Sequence, residues 1–311
     1  MRGKMSYVFF LLFLFVTIPY LTTVFMTKGN EKSETNLDRY DSGYKIISDQ
    51  KEIDLEQFLL WILPGQISMN YEEEALKAQA VILRTDLVRR MGTSKKINEN
   101  KLPYKKQTDQ ELREALGNKK YVRVDQKRRR AVSDTLGKVM VYKNDYIEPY
   151  FHGISVGTTL GGEEWFGTKI PYLKEKESLY DVEAQDYMSV KIVTYAEIVR
   201  TVKKNKNIDL KEERLKKNLK IRRMTKNGYV KQVQADSVVV SGESWAEWFH
   251  LASNNFYLES YEGKIRIVCL GKGNGLGMSQ YGACQMAKKG KSYSSILKYF
   301  YSGIKIKKLH E

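Results

Sequence analysis

The feature that most constrains this chain is a long apolar segment near its N-terminus. Residues 5 to 27 carry no charged side chain, and about 20 apolar residues are enough for a helix to cross a bilayer. Arg2 and Lys4 precede the segment, so the positive-inside rule places the N-terminus in the cytoplasm and the rest of the chain outside. A cleaved secretory signal is the alternative, but no small-residue cleavage motif precedes Lys28. We therefore expect residues 1–28 to be an uncleaved, single-pass transmembrane anchor in the cell membrane, with the C-terminal domain extracytoplasmic.

Beyond the anchor, the chain divides into three predicted segments. Residues 31–49 are polar and show little apolar periodicity, which predicts a stalk over residues 29–50. Residues 51–305 are long enough for one large domain. Residues 306–311 are predicted to form a basic tail.

The part of the chain beyond the anchor is strongly basic. The sequence contains 53 Lys and Arg residues against 37 Asp and Glu residues, a formal charge of +16, and without Arg2, Lys4 and Lys28 the charge is +13. A basic surface outside a cell attracts anionic polymers or lipid headgroups. The run from Lys127 to Arg130 would also suit nucleic acid. The expected export argues against that partner, and such a run is typical of a solvated helix face.

Periodic patterns predict a mixed α+β fold with antiparallel strands. Asn70 and Glu73 are spaced as in a capping box at a helix start, and the apolar stripe that follows ends at Gly92. Asn227 and Gly228 lie between two apolar runs, which is the strongest short-range signal for a hairpin. The stripe consists of Leu76, Ala80, Leu83 and Leu87. The other predicted strands cover 139–142, 146–151, 219–224, 229–233, 238–240, 256–260 and 264–270, and the other predicted helices cover 111–116, 125–136, 195–204, 244–251, 279–288 and 293–300.

The two cysteines, Cys269 and Cys284, are too few for a disulfide-stapled scaffold. An oxidising exterior would permit one bridge between them, and Cys284 is equally typical of a small buried residue on a helix. The sequence leaves both alternatives open. It contains no CxxC or HExxH pattern, so a structural metal site has no support from a motif.

Four stretches in this order resemble the family of stage II sporulation protein D and the amidase enhancers. The likeness covers roughly residues 50 to 305, and the first and last of the four stretches carry most of its specificity. The resemblance implies helices and antiparallel strands around a substrate groove, in a membrane-anchored cell-wall protein whose active members are peptidoglycan lytic transglycosylases. The four stretches are EALKAQAVILRT at 74–85, PYFHGISVGTT at 149–159, VSGESWAEWFHLASNNF at 240–256 and GKGNGLGMSQYGA at 271–283.

The same resemblance implies a catalytic Glu nine residues before Ala75, where this chain has Gln66. Such a Glu would protonate the glycosidic oxygen and serve as general acid and base. An amide holds a sugar by hydrogen bonds but does not transfer a proton near neutral pH. The family also commonly has His where this chain has Asn274 in the glycine-rich loop. Glu72, Glu73 and Glu74 would be substitutes, although carboxylates in the first turn of a helix ordinarily stabilise its dipole.

Further family-like positions are expected to bind substrate. Lys77 and Arg84 lie seven residues apart, about 10.5 Å along one helix face, where they would contact muropeptide carboxylates. Two side chains that merely cover apolar surface are the alternative. The glycine-rich loop is expected to close a tight turn and to present Ser279, Gln280 and Tyr281 to the groove.

His152 and Ser155 stand in a turn rich in Gly, Ser and Thr, and both are expected to contact substrate. A hydrogen-bonded loop histidine is the alternative for His152. The family sometimes carries a Cys beside this His, which would suit zinc. Val156 and Gly157 stand there in this chain, so neither a metal nor another cofactor is expected.

Two functional hypotheses follow from the resemblance. The first is an anchored wall protein that binds peptidoglycan glycan strands and recruits or stimulates a wall amidase during sporulation or wall remodelling, with impaired catalysis. The second is an active lytic transglycosylase whose acid lies elsewhere than residue 66. An acid within hydrogen-bond reach of Gln66 would favour the second hypothesis.

Overall fold

The computed structural model describes residues 13, 15, 17–19, 37 and 39–309. In this part of the chain no helix has the length and apolar composition needed to cross a membrane. The predicted anchor, residues 1–28, lies almost entirely outside the described residues and stays a prediction.

Helices and short strands alternate along the described chain. The helices are α1 (Leu55–Gln66), α2 (Glu73–Met91), α3 (Asp109–Leu116), α4 (Asn118–Ser133), α5 (Gly162–Phe166), α6 (Tyr195–Lys206), α7 (Glu212–Asn218), α8 (Gly242–Trp248), α9 (Gln280–Lys288) and α10 (Tyr293–Phe300). The strands are β1 (Lys45–Ser48), β2 (Lys51–Asp54), β3 (Lys96–Asn98), β4 (Lys138–Tyr142), β5 (Asp145–Tyr146), β6 (Phe151–His152), β7 (Met188–Val193), β8 (Leu219–Met224), β9 (Val230–Ala235), β10 (Val238–Ser241), β11 (Phe256–Tyr261), β12 (Lys264–Leu270), β13 (Met278–Ser279) and β14 (Lys305–Lys308). The chain forms two compact units, Met1–Met69 with Arg90–Gly137 and Asn70–Arg89 with Lys138–Glu311.

The strands pair into small sheets that are mainly antiparallel. The strand orders are β2-β1-β3, β10-β9-β8, β11-β12-β7, β13-β6 and β14-β4-β5. Two pairs are parallel, β1 with β3 and β6 with β13. The predicted α+β class with antiparallel sheets is confirmed, and so is the hairpin of β8 and β9 around Asn227 and Gly228.

In the first unit, a buried arginine completes the hydrogen bonds of α1. Pro64 lies inside this helix and has no N–H to donate to the carbonyl of Leu60. Arg128 donates to that carbonyl oxygen at 3.0 Å instead. Its side chain is fully buried. Arg128 also pairs with the carboxylates of Asp109 and Asp125, and it donates to the Tyr121 hydroxyl at 3.5 Å.

This arginine corrects the interpretation of the basic run Lys127–Arg130 as a solvated helix face. The run lies on α4, but Arg128 points into the unit rather than to solvent. A buried guanidinium is stable only when its donors are paired. Burial alone would lower the pKa of Arg128, and the hydrogen bonds with Asp109 and Asp125 outweigh burial and raise it.

In the second unit, α2 is buried over most of its length. Leu76, Ala80, Leu83 and Leu87 are buried as predicted, but Ala78, Val81, Ile82 and Val88 on other faces are buried as well. The polar side chains of Gln79, Arg84 and Thr85 are buried too, so the helix is enclosed on more than one face. The single stripe was therefore too narrow an interpretation. The helix also begins at Glu73 rather than near Asn70, with the carbonyl of Glu72 accepting its first hydrogen bond from the N–H of Leu76 at 3.2 Å.

A second core of this unit lies between the hairpin sheets and their helices. Trp245 of α8 is fully buried, and its ring lies 4.7 Å from that of Phe249. Leu215 of α7 and Ile198 of α6 pack into the same cluster as Val233 of β9 and Ile267 of β12. The highly charged segment 208–217 is therefore fixed to the core by the side chain of Leu215.

Two predicted boundaries differ from the structure because strands of only four residues are too short to show an apolar pattern. Strand β1 lies within residues 29–50, the predicted stalk, and its Ile46 is fully buried. Strand β14 takes up residues 306–308 of the predicted basic tail and pairs antiparallel with β4. In both strands, pairing with a neighbour rather than a long apolar run determines the conformation.

Candidate functional site

Gln66 is the last residue of α1, and several hydrogen bonds fix the end of this helix. The N–H of Ile67 donates to the carbonyl of Leu63 at 3.3 Å and closes the last turn. The N–H of Gln107 donates to the carbonyl of Trp61 at 3.0 Å. Together with the arginine bond to the Leu60 carbonyl, which Pro64 leaves without a helical donor, these contacts fix the last turns of α1. The half-buried Gln66 side chain is therefore carried by a rigid helix end.

Gln66 lines an open pocket of about 620 Å³ in the first unit. We call it the Gln66 pocket. Its wall carries two amides, two lysines and one carboxylate. The lining residues are Gly65, Gln66, Pro103, Lys105, Lys106, Gln107 and Glu111.

Glu111 supplies the carboxylate of the Gln66 pocket, and it is held in the charged form. Its oxygen Oε2 accepts hydrogen bonds from the N–H of Thr108 at 2.7 Å and from the Thr108 hydroxyl at 2.9 Å. These bonds lower the pKa of Glu111, the backbone bond having the larger effect. A carboxyl group with a lowered pKa is a poor proton donor at neutral pH. Glu111 is thus a helix cap on the pocket rather than a substitute acid.

The lysines make the rim of the Gln66 pocket basic. Lys106 donates to Asp49 at 2.6 Å and to Glu99 at 3.2 Å, and the bond to Asp49 is the main cause that raises the pKa of Lys106. Lys105 is exposed. An amide beside cations can bind hydroxyl, acetamido and carboxylate groups of a ligand.

In the second unit, the glycine-rich loop is packed against backbone and rings. At Gly277 the φ angle is +70°, and a Cβ atom would lie 1.8 Å from the carbonyl oxygen of Tyr150. At Gly275 a Cβ atom would lie 2.2 Å from the ring of Tyr229. Glycine is the residue that tolerates both the positive φ and this approach. The expected tight turn is present.

The loop was predicted to present Ser279 and Gln280 to the groove, but both residues are buried. The Ser279 side chain is fully buried and accepts a hydrogen bond from the N–H of Gly282 at 3.1 Å, which caps α9. Gln280 is buried and donates to the side-chain oxygen of Gln79 on α2 at 3.1 Å. Tyr281 is half-buried, and its ring lies 6.4 Å from that of Tyr71. These motif residues join α2, the loop and α9.

His152 and Ser155 belong to a buried polar cluster in the same unit. Strand pairing places His152 opposite Ser279, and His152 Nδ1 lies 2.9 Å from the carbonyl oxygen of Leu276. Burial lowers the pKa of His152, so its imidazole is neutral at pH 7. The N–H of Ser155 donates to Asp181 at 2.7 Å. The alternative of a hydrogen-bonded histidine therefore describes His152 better than an exposed substrate contact.

Asp181 is a member of this cluster that the sequence did not indicate. It is fully buried, and its oxygen Oδ1 has no hydrogen-bond partner among the described residues. The same holds for His152 Nε2 and Ser155 Oγ. No motif or spacing surrounds Asp181, so only the tertiary structure could identify it.

Asn274 lines a different pocket, of about 390 Å³, at the edge of the glycine-rich loop. We call it the Asn274 pocket. It is acidic, with Glu243 and Glu247 one helical turn apart on α8. Burial raises the pKa of Glu243. The further polar residues in its wall are His250, Ser253 and Asn254.

Lys77 and Arg84 lie on α2 as expected but differ in accessibility. The Lys77 ammonium lies 2.8 Å from Glu74, whose other oxygen accepts from the N–H of Tyr293 at 2.6 Å. Arg84 is fully buried and donates to the carbonyl of Lys138 at 3.1 Å. A buried guanidinium that bonds to backbone supports the fold, so ligand contact from this residue would need a rearrangement.

No group of three or more His, Cys, Asp or Glu side chains within the described residues is arranged to hold a metal ion. Cys269 and Cys284 are buried thiols in separate apolar clusters. The bridge between them that the sequence left open is not present in this structure.

Comparisons with known proteins match this chain over most of its length. A family described as Stage II sporulation protein matches residues 43–142. The chain is 30% identical over 264 residues to stage II sporulation protein D of Bacillus subtilis, covering 82% of this chain and 75% of that protein. Its likeness to the protein of the same name from Bacillus amyloliquefaciens is 28% over the same shares. It is also 24% identical over 290 residues to the amidase enhancer of Bacillus subtilis, of which it covers 39%.

Proposed function

Because this chain belongs to the stage II sporulation protein D family, we propose that it is an anchored, extracytoplasmic cell-wall protein that binds peptidoglycan glycan strands without cleaving them. The observation that carries the proposal is the Gln66 pocket. At the position of the expected catalytic Glu it has an amide, and the carboxylate in its wall, Glu111, is a helix cap with a lowered pKa. Loss of a general acid typically removes a factor of about 10² to 10⁴ in rate.

The chemistry of the pocket suits a glycan that carries peptides. Sugar hydroxyl and acetamido groups pair with side-chain amides such as Gln66 and Gln107. Stem-peptide carboxylates are attracted by Lys105 on the rim. The excess of basic over acidic residues adds a long-range attraction to an anionic wall.

Retention on purified sacculi tests the binding. Full-length protein in mild non-ionic detergent should be retained at low salt and released as salt is raised, because the Debye length is about 8 Å at physiological ionic strength. Gln66→Ala should weaken retention about three- to tenfold, the effect of roughly one hydrogen bond. Gln126→Ala, which changes an exposed amide on α4, is the matched control. Equal retention of both variants and the unmodified protein would refute a binding role for the pocket.

The membrane anchor and the extracytoplasmic location belong to the same proposal. They rest on the uncharged segment of residues 5 to 27 behind Arg2 and Lys4. N-terminal sequencing of the membrane-extracted protein should begin at the start of the chain, and protease added to protoplasts should digest the domain. A mature terminus near Lys28, or a domain protected from the protease, would contradict this topology.

We also propose that the protein recruits or stimulates a wall amidase. This part rests on the likeness to a protein named amidase enhancer. Peptide release from sacculi by a purified wall amidase should rise when the full-length protein is added. An unchanged rate, measured where the protein binds the same sacculi, would remove the amidase from the proposal and leave the glycan binding intact.

Active glycan cleavage is the second candidate function, and Glu243 is the observation that favours it. A carboxyl group whose pKa is raised by burial can serve as a general acid. In that case Glu243→Gln would abolish release of anhydro-muropeptides, whereas Gln66→Ala would not. Absence of products from the unmodified protein would reject this alternative.

A further inference from the structure

A dense group of cations covers three consecutive elements of the second unit, α6, α7 and β8. These elements turn their apolar side chains inward, except for Met224 at the end of β8, which is exposed. Val202, Leu215 and Ile221 contact the core of this unit. The basic side chains are left on the outside, at the C-terminal turn of α6, along α7 and along the edge strand β8.

Some of these cations have partners within the unit. Lys203 lies 2.7 Å from Asp209 and Arg214 lies 3.3 Å from Asp236. The Lys216 ammonium lies 5.6 Å from the ring centre of Tyr195. Seven others are exposed and have no ion-pair partner among the described residues. We call these seven the basic strip: Lys204, Lys206, Lys211, Lys217, Lys220, Arg222 and Arg223.

The basic strip differs from a helix that inserts into a membrane surface. Such a helix exposes a continuous apolar face. In α6 and α7 the apolar residues Ile198, Val202 and Leu215 are buried in the core. The outward side therefore offers charge without an apolar face, which favours a soluble polyanion over a lipid surface.

Protection of a strand edge is the other role that lysines and arginines commonly serve. β8 is the outer strand of its sheet, and charges on it hinder pairing with another chain. That role does not require Lys204, Lys206, Lys211 and Lys217, which lie off the strand on α6, on α7 and in the segment between them. The extent of the strip beyond β8 points to a ligand.

We propose that the basic strip binds a linear phosphodiester polymer of the cell envelope. Guanidinium groups such as those of Arg222 and Arg223 pair with phosphate through two parallel hydrogen bonds, and lysines add point charges. The six residues of β8 extend about 20 Å, long enough to follow several repeats of a flexible chain. This binding is independent of the glycan binding proposed at the Gln66 pocket.

Binding of full-length protein to purified poly(glycerol phosphate), measured by fluorescence anisotropy over a range of salt concentrations, tests the strip. The test variant carries Lys217→Gln, Lys220→Gln, Arg222→Gln and Arg223→Gln. The matched control removes the same charge from exposed cations of the first unit through Lys101→Gln, Lys119→Gln, Lys120→Gln and Arg123→Gln. Circular dichroism should show both variants folded.

The strip variant should bind at least about tenfold more weakly at 0.1 M salt, and its salt slope should fall by about 3, since each phosphate contact contributes roughly 0.7. The control should keep both values. Equal losses in the two variants would mean diffuse charge and overturn the proposal. If the strip variant binds the polymer as before but begins to self-associate, the strip protects a strand edge and the proposal is overturned. Binding of the unmodified protein to phosphatidylglycerol vesicles but not to the polymer would also overturn it. Retention on sacculi from which the phosphodiester polymer has been removed measures glycan binding at the Gln66 pocket separately.

Discussion

The Gln66 pocket and the glycine-rich loop both carry residues of the family resemblance, but they use them in opposite ways. Gln66 lines an open pocket with Lys105 and Glu111. In the loop region, Ser279 and Gln280 are buried and bonded to neighbouring elements. One region places its family position in the wall of an open pocket, whereas the other uses its motif to hold helices and strands together. A familiar motif thus identifies a fold more securely than a chemistry.

The largest effect is expected where the loop approaches backbone most closely. In Gly277→Ala the new Cβ would lie 1.8 Å from the Tyr150 carbonyl oxygen, so the β6–β13 pairing must shift. We expect a loss of about 4 kcal/mol or more in the free energy of unfolding, or no folded protein. Chemical denaturation measures it.

Gly263→Ala is the matched control for that substitution. Its φ of +72° is nearly the same, but no atom lies within 4 Å of the added Cβ. The loss should therefore be the left-handed strain alone, about 1 to 2 kcal/mol. Equal losses in the two variants would mean that the close approach in the loop is unimportant.

In the first unit, the buried side chain of Arg128 stabilises the fold through its hydrogen bonds. In Arg128→Leu the carboxylates of Asp109 and Asp125 and the carbonyl of Leu60 lose their shared donor. Breaking a buried charge pair typically costs about 3 to 5 kcal/mol. Arg123→Leu on the exposed side of the same helix should change stability by less than about 0.5 kcal/mol. Similar values for the two variants, measured by denaturation, would contradict the structural role of Arg128.

The loop region should also respond to pH. The pKa of His152 is lowered by burial, so below about pH 6.5 the unfolded state takes up a proton that the folded state does not. The contribution of His152 to the free energy of unfolding should be fully present above that pH. It should fall as pH decreases toward the folded pKa, by at most about 1.4 kcal/mol per pH unit. His152→Gln should remove this slope. An unchanged slope would assign it to other groups.

The smallest effect is expected at the cap beside the Gln66 pocket. Thr108→Ala should destabilise α3 by about 1 kcal/mol at neutral pH. Thr108→Ala keeps the backbone bond to Glu111 and removes the hydroxyl bond, which also lowers the pKa of Glu111. The contribution of the hydroxyl bond to Glu111 is present above the ordinary pKa near 4.5 and is lost as pH falls through the lower folded pKa. The difference between variant and unmodified protein should therefore shrink below about pH 4. Hydrogen exchange of the α3 amides would measure this difference in stability. A difference that does not change with pH would mean that the Glu111 carboxylate does not contribute to it.

The sequence predicted the elements whose signals are local. The β8–β9 hairpin follows from Asn227 and Gly228, and α9 follows the glycine-rich loop as expected. Strands β1 and β14 were missed because each has only four residues and pairing partners determine their conformation.

Site predictions were harder for a related reason. Burial of Arg84, Ser155 and Ser279 depends on long-range packing, which no short motif encodes. No sequence signal singled out Asp181 or Glu243. The tertiary structure buries Asp181 and places Glu243 in the wall of the Asn274 pocket. The assignment of Gln66 to the position of the catalytic Glu rests on its distance from Ala75 along the sequence and stays a prediction.

The measurement that tests the central claim most directly is mass spectrometry of the products released from purified sacculi by the full-length protein. Binding without cleavage predicts no anhydro-muropeptides from the unmodified protein or from Gln66→Ala. If only the Gln66→Glu variant releases these products, the missing carboxyl group at residue 66 is the sole reason that the unmodified protein does not cleave glycan. Robust release by the unmodified protein, unaffected by Gln66→Ala, would contradict the account and place the catalytic carboxyl group elsewhere.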